Sequence, residues 1–198
     1  MQNESSFQAE KRSKHMEQGA DSYRRYLGGE EAAFSEIISE YRGPITFFIQ
    51  RYVHDLCAAE DIAADVFMDL VVHRHRYRFG TSFRTYLFML ARSRALDHLR
   101  KMKRRPSVPL EEAELTLADE QDLEQEVLRG ERARMLHEAI AQLPEEQQIA
   151  VHLVYFEERS YADTARIMKK SKKQVDNLLY RAKSALRSII GEDGERES

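Results

Sequence analysis

The chain has 198 residues, of which 42% are hydrophobic and 33% are charged, enough for two small soluble domains or one of medium size. Its longest apolar run, residues 86–91, is far shorter than the ~18 residues that a membrane-spanning helix needs, and no hydrophobic signal segment stands at the N-terminus. A single cysteine excludes an internal disulfide and a zinc site built on cysteines. Few Gly and Pro residues and many helix formers predict an all-α protein, and the lack of a membrane-spanning run and a signal segment predicts a cytoplasmic one.

Charges of opposite sign are segregated along the chain, although the net charge is only −3. Residues 92–105 hold seven bases and one acid, a density typical of polyanion binding. Residues 106–128 hold eight acids, no base and two prolines, which predicts a linker. Residues 159–187 hold nine bases and two acids, and residues 192–198 form an acidic tail. Two basic domains joined by an acidic linker are therefore expected.

The N-terminal part divides into an arm and a domain. Residues 1–24 carry no apolar stripe and are expected to form a flexible arm ahead of a first domain at residues 25–105. Apolar residues then recur at helical spacing over residues 34–52. Gly43 and Pro44 interrupt this track, and because Gly favours a helix end and Pro a first turn, the pattern predicts two successive helices.

A third helix is expected over residues 58–75, with an apolar inner side and an acidic outer side. The inner side is predicted to carry Ile62, Val66 and Leu70. The outer side is predicted to carry Glu60, Asp61, Asp65 and Asp69. A short loop at residues 76–82 contains Gly80 and the helix-capping residue types Thr81 and Ser82, so a fourth helix should follow and run to about Lys103. Its solvent-facing line is predicted to be Tyr86, Ser93, Asp97, Arg100 and Arg104.

The second domain, residues 129–191, is expected to hold four helices. The first ends before Pro144, which begins the second, and Ser160 begins a short third helix. Ser171 and Gln174 then form a capping box ahead of a long basic helix whose inner line is Val175, Leu178, Leu179, Ala182 and Leu186. A short helix, a tight turn and a long basic helix are typical of a helix-turn-helix unit.

Such a unit binds DNA by placing its second helix in the major groove. The outward line of this helix is Lys173, Asn177, Tyr180, Arg181 and Ser184. Asn177 and Arg181 are the candidates for base contacts, since Asn pairs with adenine and Arg with guanine. The phosphate-binding candidates are Lys170, Lys172, Lys173 and Lys183. The alternative is a helical hairpin whose lysines only keep it soluble.

Three segments together resemble the bacterial RNA polymerase sigma factors of the extracytoplasmic-function group, over about residues 30–190. Residues 58–76, AAEDIAADVFMDLVVHRHR, are similar to the helix with which these factors bind the polymerase. Residues 83–105, FRTYLFMLARSRALDHLRKMKRR, resemble their promoter −10 segment. Residues 143–190 resemble their domain 4, which binds the −35 element. The order and spacing of the three segments make the resemblance specific.

The resemblance implies a transcription initiation factor that binds core RNA polymerase and promoter DNA and helps to melt it. The contacts with the polymerase, through its β′ clamp helices and β subunit, would be made by Asp61, Asp65, Val66, Phe67, Asp69 and Leu70. The −10 element would be bound by Phe79, Gly80, Thr81, Ser82, Tyr86, Ser93, Arg100, Lys103 and Arg104. The −35 element would be bound by Lys170, Ser171, Lys172, Lys173, Asn177, Tyr180, Arg181 and Lys183.

Within the −10 segment, aromatic residues around the loop suit unpaired bases, which recover lost stacking on a ring. Phe83 is expected to be buried, and residues 79–82 are expected to shape a base pocket. The sequence departs from the family at Ser93, where Asn is more frequent, and at Tyr86, where Trp is frequent. Lys169 and Lys170 fill a turn that more often contains Gly.

Beyond DNA and polymerase, the resemblance implies an anti-sigma factor as a partner, which could hold the chain near the membrane. The acidic linker is similar to the connector that family members thread through the polymerase toward the RNA exit path. Plain solubility is the alternative for this segment.

Other functional classes find little support in the sequence. A stand-alone helix-turn-helix repressor or activator is the alternative, but it needs only one DNA-binding domain and usually a two-fold dimer. His73 and His75 lie two apart on a predicted helix, a poor spacing for metal ligands, so no metal is expected. No catalytic triad or phosphate-binding glycine loop occurs, so we expect no enzyme, no cofactor and no small-molecule substrate.

Overall fold

The computed structural model describes residues 19–104 and 134–196, and these residues form eight α-helices and no strand. The all-α expectation is confirmed. The helices of the first half are α1 (19–27), α2 (Glu31–Val53), α3 (Leu56–Val72) and α4 (Phe83–Arg104). Those of the second half are α5 (134–141), α6 (Glu145–Val151), α7 (Tyr161–Met168) and α8 (Lys172–Arg196), with a π-helical turn at His152–Phe156 after α6.

The predicted end of the flexible arm at residue 24 is wrong. Residues 19–24 belong to α1, where the Tyr23 ring is fully buried and stacks on Phe83 at 4.9 Å between ring centroids. Burial raises the pKa of Tyr23 to about 12, so its hydroxyl stays protonated and donates a hydrogen bond to the Arg74 carbonyl oxygen at 2.8 Å. Sequence periodicity missed this helix because its apolar face is short and aromatic. Residues 1–18 lie outside the described part of the chain.

Helix α2 is one continuous helix of 23 residues, so the predicted division at Gly43 and Pro44 is wrong. A proline inside a helix costs about 3 kcal/mol because it removes a backbone hydrogen bond and crowds the preceding turn. Here the same face is buried on both sides of Pro44, through the fully buried Tyr41 and Ile45. The packing of that unbroken face outweighs the local penalty.

Helices α3 and α4 both pack against α2. Asp55 caps α3, because its carboxylate accepts a hydrogen bond from the Ala58 backbone N–H at 3.0 Å. The predicted inner residues of α3 are confirmed as buried, namely Ile62, Val66 and Leu70. Helix α3 ends at Val72, three residues before the predicted end. The Ser82 hydroxyl accepts a hydrogen bond from the Thr85 backbone N–H at 3.2 Å and so caps α4.

The second half contains the predicted helix-turn-helix. The Ser160 hydroxyl caps α7 by accepting from the Asp163 backbone N–H at 3.0 Å. Between Ser171 and Gln174 the capping box forms in both directions, with hydrogen bonds of 3.2 and 2.7 Å. The backbone of α8 continues to Arg196, so residues 192–196 of the predicted acidic tail are helical. The predicted linker, residues 106–128, lies outside the described residues, as do 105, 129–133 and 197–198.

The two halves pack directly against each other, α4 on α7 and α2 on α6. Their buried apolar residues join into one core that runs from Phe48 and Phe88 on one side to Leu153 and Ile167 on the other. The outer faces of α3 and α8 remain exposed to solvent in this arrangement.

Candidate polymerase and nucleic-acid interfaces

The outer face of α3 combines acidic and apolar side chains. Asp61, Asp65, Met68 and Val72 are all exposed, and their spacing of 4, 3 and 4 places them on one line along the helix. We call these four residues the α3 face. Met68 and Val72 expose 57% and 65% of their surface, unusual for apolar residues on a well-packed helix. A surface of this kind suits a protein partner that presents basic side chains around an apolar patch.

Four of the predicted polymerase-binding residues do not lie on this face. Val66 and Leu70 are buried in the core, and Phe67 exposes only 7% of its surface, so none of the three is free to anchor a partner. Sequence reasoning placed Val66 and Leu70 both inside and at the interface, and only the inner assignment is right. The signal that was missed is the line from Asp61 and Asp65, which continues at helical spacing to Met68 and Val72.

Asp69 was predicted to face outward, but only 8% of it is exposed. Its carboxylate forms an ion pair with Arg94 of α4, with Nη2 at 2.6 Å from Oδ2, and Arg76 and His73 lie within 4.0 Å. This pair ties α3 to α4. One of the seven basic residues of the first basic window therefore has a structural partner, and the hydrogen bond that Arg94 donates to Asp69 raises the pKa of the Arg94 guanidinium.

The loop between α3 and α4 presents a half-exposed aromatic ring. Phe79 is 39% exposed and has a positive φ of 54°, a strained conformation for a residue with a side chain. Its ring contacts Tyr77, with the centroids 4.6 Å apart, and the Arg24 guanidinium lies 4.8 Å from its centroid. The Tyr77 hydroxyl donates to the Thr81 carbonyl oxygen at 2.6 Å, which holds the loop in place. Phe83 is buried as predicted.

The predicted −10 residues lie in the loop before α4 and along the length of α4. Gly80 is exposed, and Thr81, Ser82 and Tyr86 are partly buried around the aromatic cluster. Ser93, Arg100, Lys103 and Arg104 are exposed along α4. Arg100 also pairs with Asp97 at 2.7 Å, an exposed pair that a phosphate could replace at little cost.

The second candidate surface is the outer side of α8. Lys172, Lys173, Asn177, Tyr180 and Arg181 are all exposed, Tyr180 to 76%. Lys169 adopts the left-handed conformation, with φ 54°, in the turn where the family more often has Gly. The expected strain at this turn is therefore present.

Two of the predicted phosphate-binding lysines have other partners in this structure. Lys170 is only 21% exposed on its side chain and pairs with Glu146 at 2.7 Å. Lys183 lies 5.4 Å from the centroid of the Tyr155 ring, and a hydrogen bond to the Tyr155 hydroxyl raises its pKa. Ser171 is used in the capping box. Lys172 and Lys173 are the better candidates for phosphate contacts.

The described residues contain neither a helix able to cross a membrane nor a metal-binding group of side chains. In residues 19–104 and 134–196, no helix is long and apolar enough to cross a membrane. In the same ranges, no three His, Cys, Asp or Glu side chains are grouped so that they could hold a metal ion.

Comparison with known proteins decides the family. The Sigma-70 region 2 family model matches residues 37–105, and the Sigma-70 region 4 model matches residues 133–186. The RNA polymerase sigma-H factor of Pseudomonas aeruginosa is 32% identical over 178 residues, covering 86% of this chain and 92% of that protein. The chain belongs to the sigma-70 family. Its relatives place it in the extracytoplasmic-function group. One of them is the sigma-E factor of Haemophilus influenzae, which is 28% identical over 84% of this chain and 92% of that protein.

Solved structures of sigma factors share the fold. The sigma factor RpoE of Bartonella quintana, in complex with the anti-sigma factor NepR, matches 80% of this chain and 96% of that chain with a TM-score of 0.63 at 18% identity. CnrH, in complex with the cytosolic domain of CnrY, matches 90% of this chain and 97% of that chain with a TM-score of 0.59 at 17% identity. This sigma factor is a promoter-directing transcription initiation factor, which confirms that interpretation over a stand-alone repressor or activator.

The buried Asp69 generates a first prediction. Asp69→Ala should lower the free energy of unfolding by about 1 to 3 kcal/mol, because it leaves Arg94 without its carboxylate partner inside the α3–α4 contact. Asp65→Ala, the matched change on the exposed side of the same helix, should change it by less than about 0.5 kcal/mol. Urea unfolding followed by circular dichroism measures both. Equal effects of the two substitutions would show that Asp69 has no special structural role.

Proposed function

We propose that this sigma factor binds the polymerase through the α3 face, the −10 element through α4 and its preceding loop, and the −35 element through α8. The observation that carries the proposal is the separation of three exposed, chemically different surfaces on one core. One is acidic and apolar, one is aromatic and basic, and one is a basic helix behind a tight turn. The protein acts in the cytoplasm and catalyses no reaction itself.

The partners follow from the chemistry of these surfaces. Core RNA polymerase, through its β′ clamp helices and β subunit, would supply basic and apolar side chains that complement Asp61, Asp65, Met68 and Val72. Promoter DNA would bind the two basic surfaces. An anti-sigma factor is the third proposed partner, since RpoE and CnrH were both solved in complex with proteins bound to them.

Co-purification with core polymerase tests the proposed α3 face. The wild-type chain should bind core enzyme and support run-off transcription, whereas Asp65→Ala and Met68→Ala should each weaken binding about 5- to 150-fold, the loss expected for a contact worth about 1 to 3 kcal/mol. Ser35→Ala, at an exposed position on α2 outside the α3 face, is the control and should bind as the wild type does. Full binding by both α3 variants would remove the α3 face as the polymerase site.

The exposed line of α8 generates a prediction about the −35 element. Arg181→Ala and Asn177→Ala should each cost about 1 to 3 kcal/mol at one or two particular base pairs, because each side chain can form paired hydrogen bonds with one base. Lys172→Ala should weaken all sequences alike and reduce the salt dependence, since a lysine neutralises a phosphate without reading a base.

A panel of −35 variants, bound by holoenzyme at two salt concentrations, measures these effects. Lys170→Ala is the matched control, because Lys170 pairs with Glu146 and should contribute less than Lys172. If Arg181→Ala reduced binding equally for every promoter, the base-reading assignment would be incorrect.

The loop before α4 generates a prediction about strand opening. Replacing residues 79–81 by Gly-Ser-Gly, with Ser82 kept to cap α4, should leave polymerase binding and −35 contacts intact while melting is lost. The reason is that an extruded base loses stacking and pairing worth a few kcal/mol, and ring or pocket contacts worth about 1 to 3 kcal/mol offset part of this cost.

Permanganate footprinting of thymines near −10 measures the melting. A promoter with a pre-opened −10 bubble should not fully rescue the variant, because recognition of the extruded base would still be missing. Unchanged thymine reactivity in the loop variant would contradict the assignment of this loop.

A further inference from the structure

The contact between the two halves is built partly from charged groups that are removed from water. Arg84 of α4 forms an ion pair with Glu157, the residue after the π-helical turn, and their side chains are only 19% and 7% exposed. Arg51 of α2 donates a hydrogen bond to the Gln148 side-chain oxygen of α6 at 3.3 Å. Each of these pairs joins the first half to the second. These pairs are shielded from water only while the two halves stay in contact, and separation of the halves returns their charges to water.

A buried histidine lies at the centre of this contact. His152, in the π-helical turn, is 2% exposed, and its ring centroid lies 5.1 Å from Phe47 and 6.3 Å from Phe48, both on α2. Phe156 lies on the third side at 5.9 Å. Neither ring nitrogen has a hydrogen-bond partner among the residues that the structure describes. The ring is therefore enclosed mainly by aromatic side chains of the opposite half and of its own turn.

The charges around the ring oppose its protonation. Those that face it are Arg51 from α2, Arg84 from α4 and Glu157 from its own segment, with Arg159 beyond Glu157. Burial lowers the pKa of His152 from its ordinary value of 6.5 to about 3, and the two arginines of the opposite half add to the effect. Glu157 lies 3.6 Å from Nε2 and would favour a proton, but its carboxylate is already paired with Arg84.

We propose that this contact is a proton-sensitive latch, closed while the His152 ring is neutral and released when the ring takes up a proton. Separation of the halves removes Phe47, Phe48, Arg51 and Arg84 from the ring and gives it access to water. The open form therefore binds a proton with the ordinary pKa near 6.5, and the closed form does not.

The direction of the pH effect follows from this difference. The closed form has its full stability above about pH 6.5 and loses it as the pH falls, because only the open form gains a proton. With one proton and an open-form pKa near 6.5, the ratio of closed to open chains falls about tenfold between pH 7.5 and pH 5.5.

The consequence of the latch rests on the proposed function. In the closed form α4 packs on α7, and α7 packs on α8, so the two proposed DNA-binding helices are held in one fixed arrangement. Release of the latch lets the spacing between α4 and α8 change, which makes the access of one chain to both promoter elements dependent on pH.

Energy transfer between two dyes on the free protein tests the latch. The exposed Cys57 on α3 carries one dye, and Ser188→Cys on the exposed side of α8 carries the other. Transfer should change between pH 7.5 and pH 5.5, in the direction that a larger dye separation gives, as the ratio of open to closed chains rises about tenfold. His152→Phe should keep its pH 7.5 transfer across this range, because Phe fills the aromatic site and takes up no proton. His137→Phe, a change at a histidine that contacts Phe156 from the same half, should retain the wild-type pH response.

Two further variants keep the experiment decisive. If His152→Phe fails to fold by circular dichroism, His152→Gln serves as the neutral replacement. Glu157→Gln, which removes the charge that Arg84 pairs with, should lower transfer at pH 7.5 as well. A pH response that is the same in wild type and in the neutral His152 variant would overturn the proposal, as would wild-type transfer that does not change. No polymerase or DNA is present in this measurement, so its outcome is independent of whether the proposed promoter contacts are correct.

Discussion

The structure depends on the unbroken apolar face of α2. Ile37, Tyr41, Ile45, Phe48 and Ile49 are all fully buried on this one helix. The helix packs against α3 and α4 of its own half and against α6 of the other half. Because α3, α4 and α6 each pack one side against α2, the opposite sides of α3 and α4 are largely exposed to solvent. The exposed outer faces of α3 and α4 therefore follow from their packing against α2.

Residues one helical turn apart on α3 differ sharply in exposure and therefore in role. On α3, Asp65 is exposed while Asp69, one turn further along, is buried against Arg94 of α4. The pair joins the proposed polymerase helix to the proposed −10 helix. Asp69 is removed from water in this pair while Arg94 stays partly exposed, so the desolvation of the carboxylate offsets part of the attraction.

Of the four non-Gly residues with positive φ in the described ranges, two lie at or beside proposed DNA contacts, and the other two are His54 and Glu158. Phe79 and Lys169 both adopt positive φ, although neither is Gly. The conformation at Phe79 is held by its contacts with Tyr77 and Arg24, and the turn at Lys169 is held between the capped ends of α7 and α8. In each case packing on both sides compensates a local cost of about 1 to 3 kcal/mol. This arrangement keeps a loop in one shape before its ligand arrives.

The sequence by itself determined what depends on near neighbours along the chain. The capping box at Ser171 and Gln174, the caps at Ser160 and Ser82 and the spacing of Val175 and Leu179 are local signals, and each took the predicted form, because its partners lie within a few residues. The family resemblance came from the order of three such local segments. Only the tertiary structure decided which of several equally plausible positions face outward. Pro44 stayed inside a helix, Asp69 turned inward and Met68 outward because burial is set by partners distant in sequence, whose packing energy outweighs a local preference of a few kcal/mol.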